Sequence, residues 1–285
     1  MDGYRSLQLR ADCPFDVART VACGQAPRWE QIGDWWYGVV GDSVIKTRQL
    51  GDQVYFSGCS ERFFKNYFSL DYDLLSFYSA FAGDPCLSRA IRDNYGLRIV
   101  HQDPWECVCF QLSLNKTRVV PGVDSFTRIS QKLGDKIELD GHTFYTFPDA
   151  GTIVAWGLST LKSCNLGYKA ENIFLAAKKV VDNPLWAREV AHMGVEDAKS
   201  LLTEFKGIKS LVAEWILLFA FGRYELFPVD SHVRDIIRKR YLSHVHFGRV
   251  PLDKVDRFIR GYASKHFGDC SGYVLEYLFA SRHSL

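Results

Sequence analysis

The densest apolar stretch of the chain follows Ser210, where Val212, Ala213, Trp215, Ile216, Leu217, Leu218, Phe219 and Phe221 leave almost no polar face. A helix apolar on nearly every side belongs in the middle of a core. Lys206-Gly207-Ile208 precedes it and reads as a tight turn between two helices, with Gly207 supplying the unusual φ. Gly222 ends it, as glycine commonly does. Pro228 then fixes an extended approach to Val229-Asp230-Ser231-His232, where Asp230 or Ser231 is placed to cap a helix over residues 233–241.

The first hundred residues have a different rhythm. Residues 35–48 read as two short strands around Gly41-Asp42, and residues 53–57 as a third after Gly51-Asp52. Helical spacing returns over 74–81 and 86–95. Asp103-Pro104-Trp105-Glu106 opens another helix, with Asp103 as N-cap, Pro104 at the first helical position and Glu106 completing a capping box. Residues 127–133 continue helical, and 136–147 form a hairpin turning at Asp140-Gly141. Helices follow near 152–158, 161–165, 171–181, 192–205, 253–267 and 273–282. The fold class is therefore α+β. A small antiparallel sheet with helices spans residues 1–100, and an all-helical domain spans 101–285.

Net charge is +2, which decides little about partners. Placement says more. Arg234, Arg238, Lys239 and Arg240 follow Asp230, and Lys206 and Lys209 sit at the turn, so two basic groupings flank the apolar helix. The eight cysteines are scattered with no CxxC pair, which argues against a zinc site or a disulfide framework and for reduced thiols inside a cell. No apolar run is long enough to cross a bilayer, and MDGYRSLQLRADC lacks a signal peptide's apolar stretch. The expected location is intracellular, in cytoplasm, nucleoid or nucleus.

The hairpin glycine, apolar helix and PVDSH at this spacing resemble the helix-hairpin-helix DNA glycosylase superfamily. Three further segments resemble its 8-oxoguanine DNA glycosylase branch: Gly24-Gln25-Ala26-Pro27-Arg28-Trp29, Asp103-Pro104-Trp105-Glu106 with its following helix, and Gly167-Tyr168-Lys169-Ala170. The resemblance covers nearly the whole chain, from Gly24 to Phe279. It implies a helix-hairpin-helix glycosylase domain acting on double-stranded DNA that contains a damaged base, with no membrane partner, as a monomer. Such enzymes flip the target base out of the stack and break its N-glycosidic bond.

By this resemblance Asp230 is the catalytic carboxylate. Gly24 offers its backbone carbonyl to the base, Trp215 and Phe279 stack on it, and Leu275 stands where the branch has a glutamine that reads the Watson–Crick edge. Glu276 is adjacent and is expected to point elsewhere. Ser113, Asn115, Arg118, Lys206, Gly207, Lys209 and His232 fall at DNA-contacting positions. Ser113 and Leu114 replace two asparagines of the branch, which relaxes the expected check of the opposite base. Leu114 itself reads as core or as a wedge in the duplex.

Bifunctional members carry a nucleophilic lysine in the hairpin register that here reads Leu211, with Lys209 in place of the second hairpin glycine. Leucine cannot form a Schiff base, so the resemblance implies a monofunctional enzyme that uses Asp230 and water on a modified purine. Two readings remain beside it: a bifunctional 8-oxoguanine glycosylase/lyase with the nucleophile relocated to Lys209, and a non-catalytic damaged-DNA-binding protein. No metal or organic cofactor is expected. The one ion the resemblance implies is a monovalent cation held by the carbonyls of Thr203, Phe205 and Ile208, which the Lys209 ammonium would disfavour.

Overall fold

The structure is a computed structural model and describes residues 4–114 and 119–282, with backbone alone at 119–123. In chain order the first half contains β1 (Arg5–Gln8), α1 (Val17–Ala22), β2 (Trp29–Ile32), β3 (Trp35–Val40), β4 (Ser43–Leu50), β5 (Gln53–Ser57), α2 (Glu61–Tyr67), α3 (Leu74–Ala80), α4 (Pro85–Asp93), α5 (Pro104–Ser113) and α6 (Val119–Leu133). Then come β6 (Lys136–Leu139), β7 (His142–Tyr145), α7 (Ala150–Lys162), α8 (Lys169–Asp182), α9 (Trp186–His192), α10 (Val195–Thr203), α11 (Ser210–Phe221), α12 (Ser231–Arg240), α13 (Leu252–Phe267) and α14 (Ser271–Ala280).

The five N-terminal strands pair antiparallel in the order β1-β5-β4-β3-β2. Along β5 the period of two is plain: Val54 and Phe56 are fully buried while Gln53, Tyr55 and Ser57 are half-exposed. Val54 and Phe56 pack with Ile45, Phe64 and Phe68 under the sheet. Gly38 pairs across the ladder with Trp29, and a Cβ there would lie 2.2 Å from the indole, so the flat ring dictates the glycine.

The Asp140-Gly141 turn has positive φ at both residues, 52° and 78°, as a tight two-residue hairpin demands. Its tip docks on the sheet. Asp140 accepts hydrogen bonds from Lys46 Nζ at 2.6 Å and Tyr37 OH at 2.8 Å. The two helices expected over 152–158 and 161–165 are one element, α7, broken at Gly157 with φ 78° and ψ 169°.

A second core lies between α3, α4, α5, α8, α11, α13 and α14. Leu74, Phe77, Leu87, Leu97 and Ile99 belong to it, so the chain just ahead of α5 packs with the helical body. The last helix returns to that region. Tyr277 OH donates to the Leu97 carbonyl at 2.8 Å, and Tyr277 and Tyr78 share a hydroxyl contact of the same length. Ala213, Ile216, Leu217, Leu218 and Phe219 of α11 are buried at the centre, as the unbroken apolar pattern requires.

Candidate active site

Asp230 is the N-cap of α12. Its Oδ1 accepts the Val233 amide at 2.8 Å, and among the described residues Oδ2 has no hydrogen bond. The residue is half-buried between sealed Val229 and exposed Ser231 and His232. One oxygen is thus pinned at a helix N-terminus, where the helix dipole favours negative charge, and the other is free to act. Arg234, one of the basic residues after it, is spent. Its guanidinium makes a two-pronged ion pair with Asp256 at 2.5 and 2.8 Å, which removes it from the expected phosphate-facing group.

Gly24 follows α1 with φ 103°, and no protein atom lies within 4 Å of where a Cβ would sit. Its carbonyl takes no hydrogen bond among the described residues. The neighbours in its motif hold it in place. Gln25 is buried, donates to the Thr20 and Arg98 carbonyls at 3.0 and 2.7 Å, and accepts the Val100 amide at 2.9 Å. Arg28 pairs with Glu106 at 3.4 Å and also donates to the Tyr145 carbonyl. Trp29 donates to Tyr67 OH at 2.8 Å. Arg98, wholly buried, donates to the carbonyls of Pro14, Ser69 and Tyr72.

Three carriers of site residues converge on α14. Leu218 of α11 packs so closely on Gly272 that a Cβ there would meet it at 2.5 Å. Helix α12 also packs on α14. The Gly24 segment reaches it through Cys23, which adjoins the buried Glu276 carboxyl while its thiol donates to the Thr20 carbonyl at 3.1 Å. Gln102 closes the circuit: its amide donates to the Phe219 carbonyl at 2.9 Å, and its side chain to the Gln25 carbonyl at 2.6 Å.

Within this frame Trp215 is half-buried, with its ring stacked on Phe219 at 5.4 Å. Phe279 is half-buried under the guanidinium of exposed Arg282, 4.2 Å from the ring centre. Leu275 is sealed inside. Glu276, beside it, is turned into the core. It is 2% exposed, faces Cys23, and its pKa is pushed up to about 7 by burial, against the pull of the Cys23 contact and the Arg282 charge. The Cys23 thiol is in turn pushed well up, by burial first and by Glu276 second.

A second grouping forms where the ends of α5 and α8 meet the hairpin. Gly207 has φ 96°, and a Cβ on it would strike Asn172 Nδ2 at 2.4 Å and Leu112 at 3.1 Å. Lys206 pairs with Glu171 at 2.6 Å on the surface. Lys169 is buried and donates to the Ser113 carbonyl at 2.8 Å and to the Leu114 carbonyl, capping α5 in trans; burial lowers its pKa. Tyr168 beside it is 76% exposed.

Ser113 corrects the sequence reading. It is 2% exposed and its hydroxyl donates to the Cys109 carbonyl at 2.7 Å, so the side chain faces inward rather than toward a ligand. Leu114 packs partly buried against the core. Asn115 and Arg118 lie outside the described residues. Lys209 and His232 are exposed, and Leu211 is half-buried one turn before Trp215. The three carbonyls read as a cation site are uncharged, and that of Phe205 already accepts the Ile208 amide at 3.0 Å. A carbonyl's second lone pair leaves room for a weakly held monovalent ion. Among the described residues no cluster of His, Cys, Asp and Glu fits a metal, and all eight cysteines are free. No described helix is long and apolar enough to cross a membrane.

Residues 8–108 match the model of the 8-oxoguanine DNA glycosylase N-terminal domain. A probable N-glycosylase/DNA lyase of Methanothermobacter thermautotrophicus is 30% identical over 232 residues, covering 74% of this chain and 71% of that protein. The chain belongs to the 8-oxoguanine DNA glycosylase family of helix-hairpin-helix DNA N-glycosylases. Solved members of the family agree in shape. A complex of MBOgg1 with a low-affinity DNA ligand superposes with a TM-score of 0.90 at 26% identity, covering 100% of this chain and 96% of that one. The Clostridium acetobutylicum 8-oxoguanine glycosylase/lyase, bound to double-stranded DNA with cytosine opposite 8-oxoguanine, gives 0.84 at 26% identity, covering 95% and 92%.

The α+β architecture, a small antiparallel sheet leading into a helical body, is that of the family. Sequence reasoning missed the inward turn of Glu276 and the role of Gln102. A glutamate in the register of a buried helix face was the available signal for the first. For the second, no local pattern exists, because its two partners lie far apart in sequence.

Proposed function

We propose that this protein is a monofunctional DNA glycosylase that acts as a monomer, everts a damaged purine from double-stranded DNA and hydrolyses its bond to the sugar. Asp230 is the observation that carries the reading: a half-buried carboxylate with one oxygen fixed by Val233 and the other unengaged among the described residues. As the C1′–N9 bond lengthens, its electron pair leaves with the base and positive charge grows on the sugar. A fixed carboxylate stabilises that charge and takes a proton from the attacking water. The water oxygen bonds to C1′, the base leaves as an anion and takes a proton from solvent, Asp230 gives its own proton back to solvent, and an abasic site remains.

Leu211 supports hydrolysis over covalent catalysis, since it offers no amine in the hairpin register. Gly24's open carbonyl accepts an N–H of the everted base, and Trp215 and Phe279 supply aromatic surface, each stacking contact contributing roughly 1–3 kcal/mol. The second grouping serves the duplex: exposed Tyr168 offers a stacking face, while Lys206, Gly207 and Lys209 border the phosphates. The surface pair Lys206–Glu171 is weak enough for a phosphate to replace. His232 lies at the entrance beside Asp230.

Single-turnover assays on duplexes bearing 8-oxoguanine, alkylated and deaminated purines test this. Free base should appear, with strand scission only after alkali, and Asp230→Asn should abolish release. Covalent trapping by borohydride would instead identify a lyase using Lys209. Tight binding without release from any duplex would make the protein a damage-binding scaffold.

A further inference from the structure

A cleft lies between the sheet and the helices on both sides of Arg28. Its inner arm, about 30 Å³ between Arg28, Gln102, Glu106 and Phe110, has room for a water or two. Its outer chamber, about 340 Å³, opens between β2, α6 and β7 and is large enough for a small ligand. Pro27, Arg28, Trp29, Val39 and Phe126 border both, so the two spaces adjoin. Gly24, Trp215, Asp230 and Phe279 border neither, which sets the cleft apart from the site proposed for the base.

Arg28 is the cation in this space. Its side chain is 11% exposed, and its acid partner Glu106 stands 3.4 Å away, farther than the roughly 2.7–2.9 Å of a tight charged hydrogen bond. Burial pushes Glu106 up to about 7, so near neutral pH it is charged only part of the time, whereas an arginine keeps its charge. Among the described residues the guanidinium donates to Glu106 and to the Tyr145 carbonyl, which leaves the rest of its fork unused. Ser130, on the α6 wall of the chamber, has a buried hydroxyl with no partner among the described residues. Trp29, Val39, Phe126 and Phe144 make the remaining wall apolar. Glu30, the one acid among the described residues bordering the chamber, is exposed, where water weakens its field.

We infer that the outer chamber binds a planar aromatic monocarboxylate, with its carboxylate on the Arg28 guanidinium and its ring against Trp29 and Phe126. A buried cation whose counter-charge is distant and intermittent gains from a second anion. The two oxygens of a carboxylate match the guanidinium fork. One cation balances one negative charge, so a monocarboxylate fits where a phosphate dianion leaves charge unpaired. The ring takes apolar wall out of water, and the Ser130 hydroxyl is a spare donor at the same wall. The inference stands apart from the glycosylase reading, because it uses no residue assigned to base removal.

Isothermal titration calorimetry of the full-length protein with 2-naphthoate, its neutral amide 2-naphthamide and inorganic phosphate tests this. 2-Naphthoate should bind saturably at one site with a dissociation constant of about 1 mM or below. The amide and phosphate should each bind at least tenfold more weakly. Thr127 is exposed on α6 and borders the chamber, so Thr127→Trp fills it from outside the core. That variant should weaken 2-naphthoate at least tenfold with an unchanged thermal midpoint, and Arg28→Gln should weaken it as much. If Arg28→Gln fails to fold, Thr127→Trp and the amide decide. No saturable binding, an amide or phosphate that binds as well as the acid, or binding that survives Thr127→Trp overturns the assignment. Base release is measured separately, so any of these results leaves the glycosylase reading standing.

Discussion

Replacing Gly207 by alanine tests how the hairpin is held. Two costs add. The backbone sits at φ 96°, where an L side chain is strained by about 1–2 kcal/mol. The new Cβ would also lie 2.4 Å from Asn172 Nδ2, 2.9 Å from its Cγ and 3.1 Å from Leu112. The Asn172 amide is the end of a flexible, half-buried side chain and can swing away, so overpacking adds about 1 kcal/mol rather than the upper end of its range. Urea unfolding of Gly207→Ala should therefore show a loss of about 2–3 kcal/mol at unchanged m-value. Adding Asn172→Ala separates the two parts. It should recover the overpacking part and leave at least about 1 kcal/mol, because no neighbour's removal relaxes the dihedral. A single variant within about 0.5 kcal/mol of wild type, or full recovery in the double variant, would refute the backbone argument.

Other expectations concern the chemistry. Asp230→Asn keeps a good cap on α12 and should unfold within about 0.5 kcal/mol of wild type, whereas Asp230→Ala should lose about 1 kcal/mol; both should abolish base release, and a stable but active Asp230→Asn would remove the carboxylate from the mechanism. Glu276 has an ordinary value of 4.5 and a folded value of about 7, so the native state keeps a proton that the unfolded chain has lost between those pH values. Its contribution to stability is therefore greatest below pH 4.5, falls as pH rises through that window and levels off above about 7, by up to roughly 3 kcal/mol. Glu106 behaves alike, so Glu276→Gln should remove about half of the slope that the two produce in urea titrations across pH; an unchanged slope would contradict the burial argument. Leu211→Lys should introduce borohydride trapping on 8-oxoguanine DNA, and its failure in a folded variant would show that the hairpin does not aim that register at the sugar.

Elements whose information is local were legible from residue order. Strands β3, β4 and β5 carry alternation between Gly-Asp turns, and α11 carries an unbroken apolar run. Strands β1 and β2 were not, since four residues such as Arg5–Gln8 hold too little alternation to register. The capping box at α5 was half right: Asp103 accepts the Glu106 amide, but the Glu106 side chain turns to Arg28, 78 residues away in sequence. Glu214 shows the same limit. It lies inside the apolar run yet is buried, because Lys199 and Arg260 approach it from α10 and α13 at 3.3 and 3.1 Å. In the candidate site, the cap that Asp230 places on α12 was readable from turn chemistry. The partners of Ser113 and Glu276 belong to how helices face one another.

Gln102 fastens the wall that would touch a base to the end of the central helix, through one amide and one side chain. Tyr277 rivets the closing helix to the same region. Segments tied together this way take their relative places during folding, not on encounter. If the proposed base removal holds, bending and unstacking would fall to the duplex, and lesions that already weaken stacking would enter most cheaply.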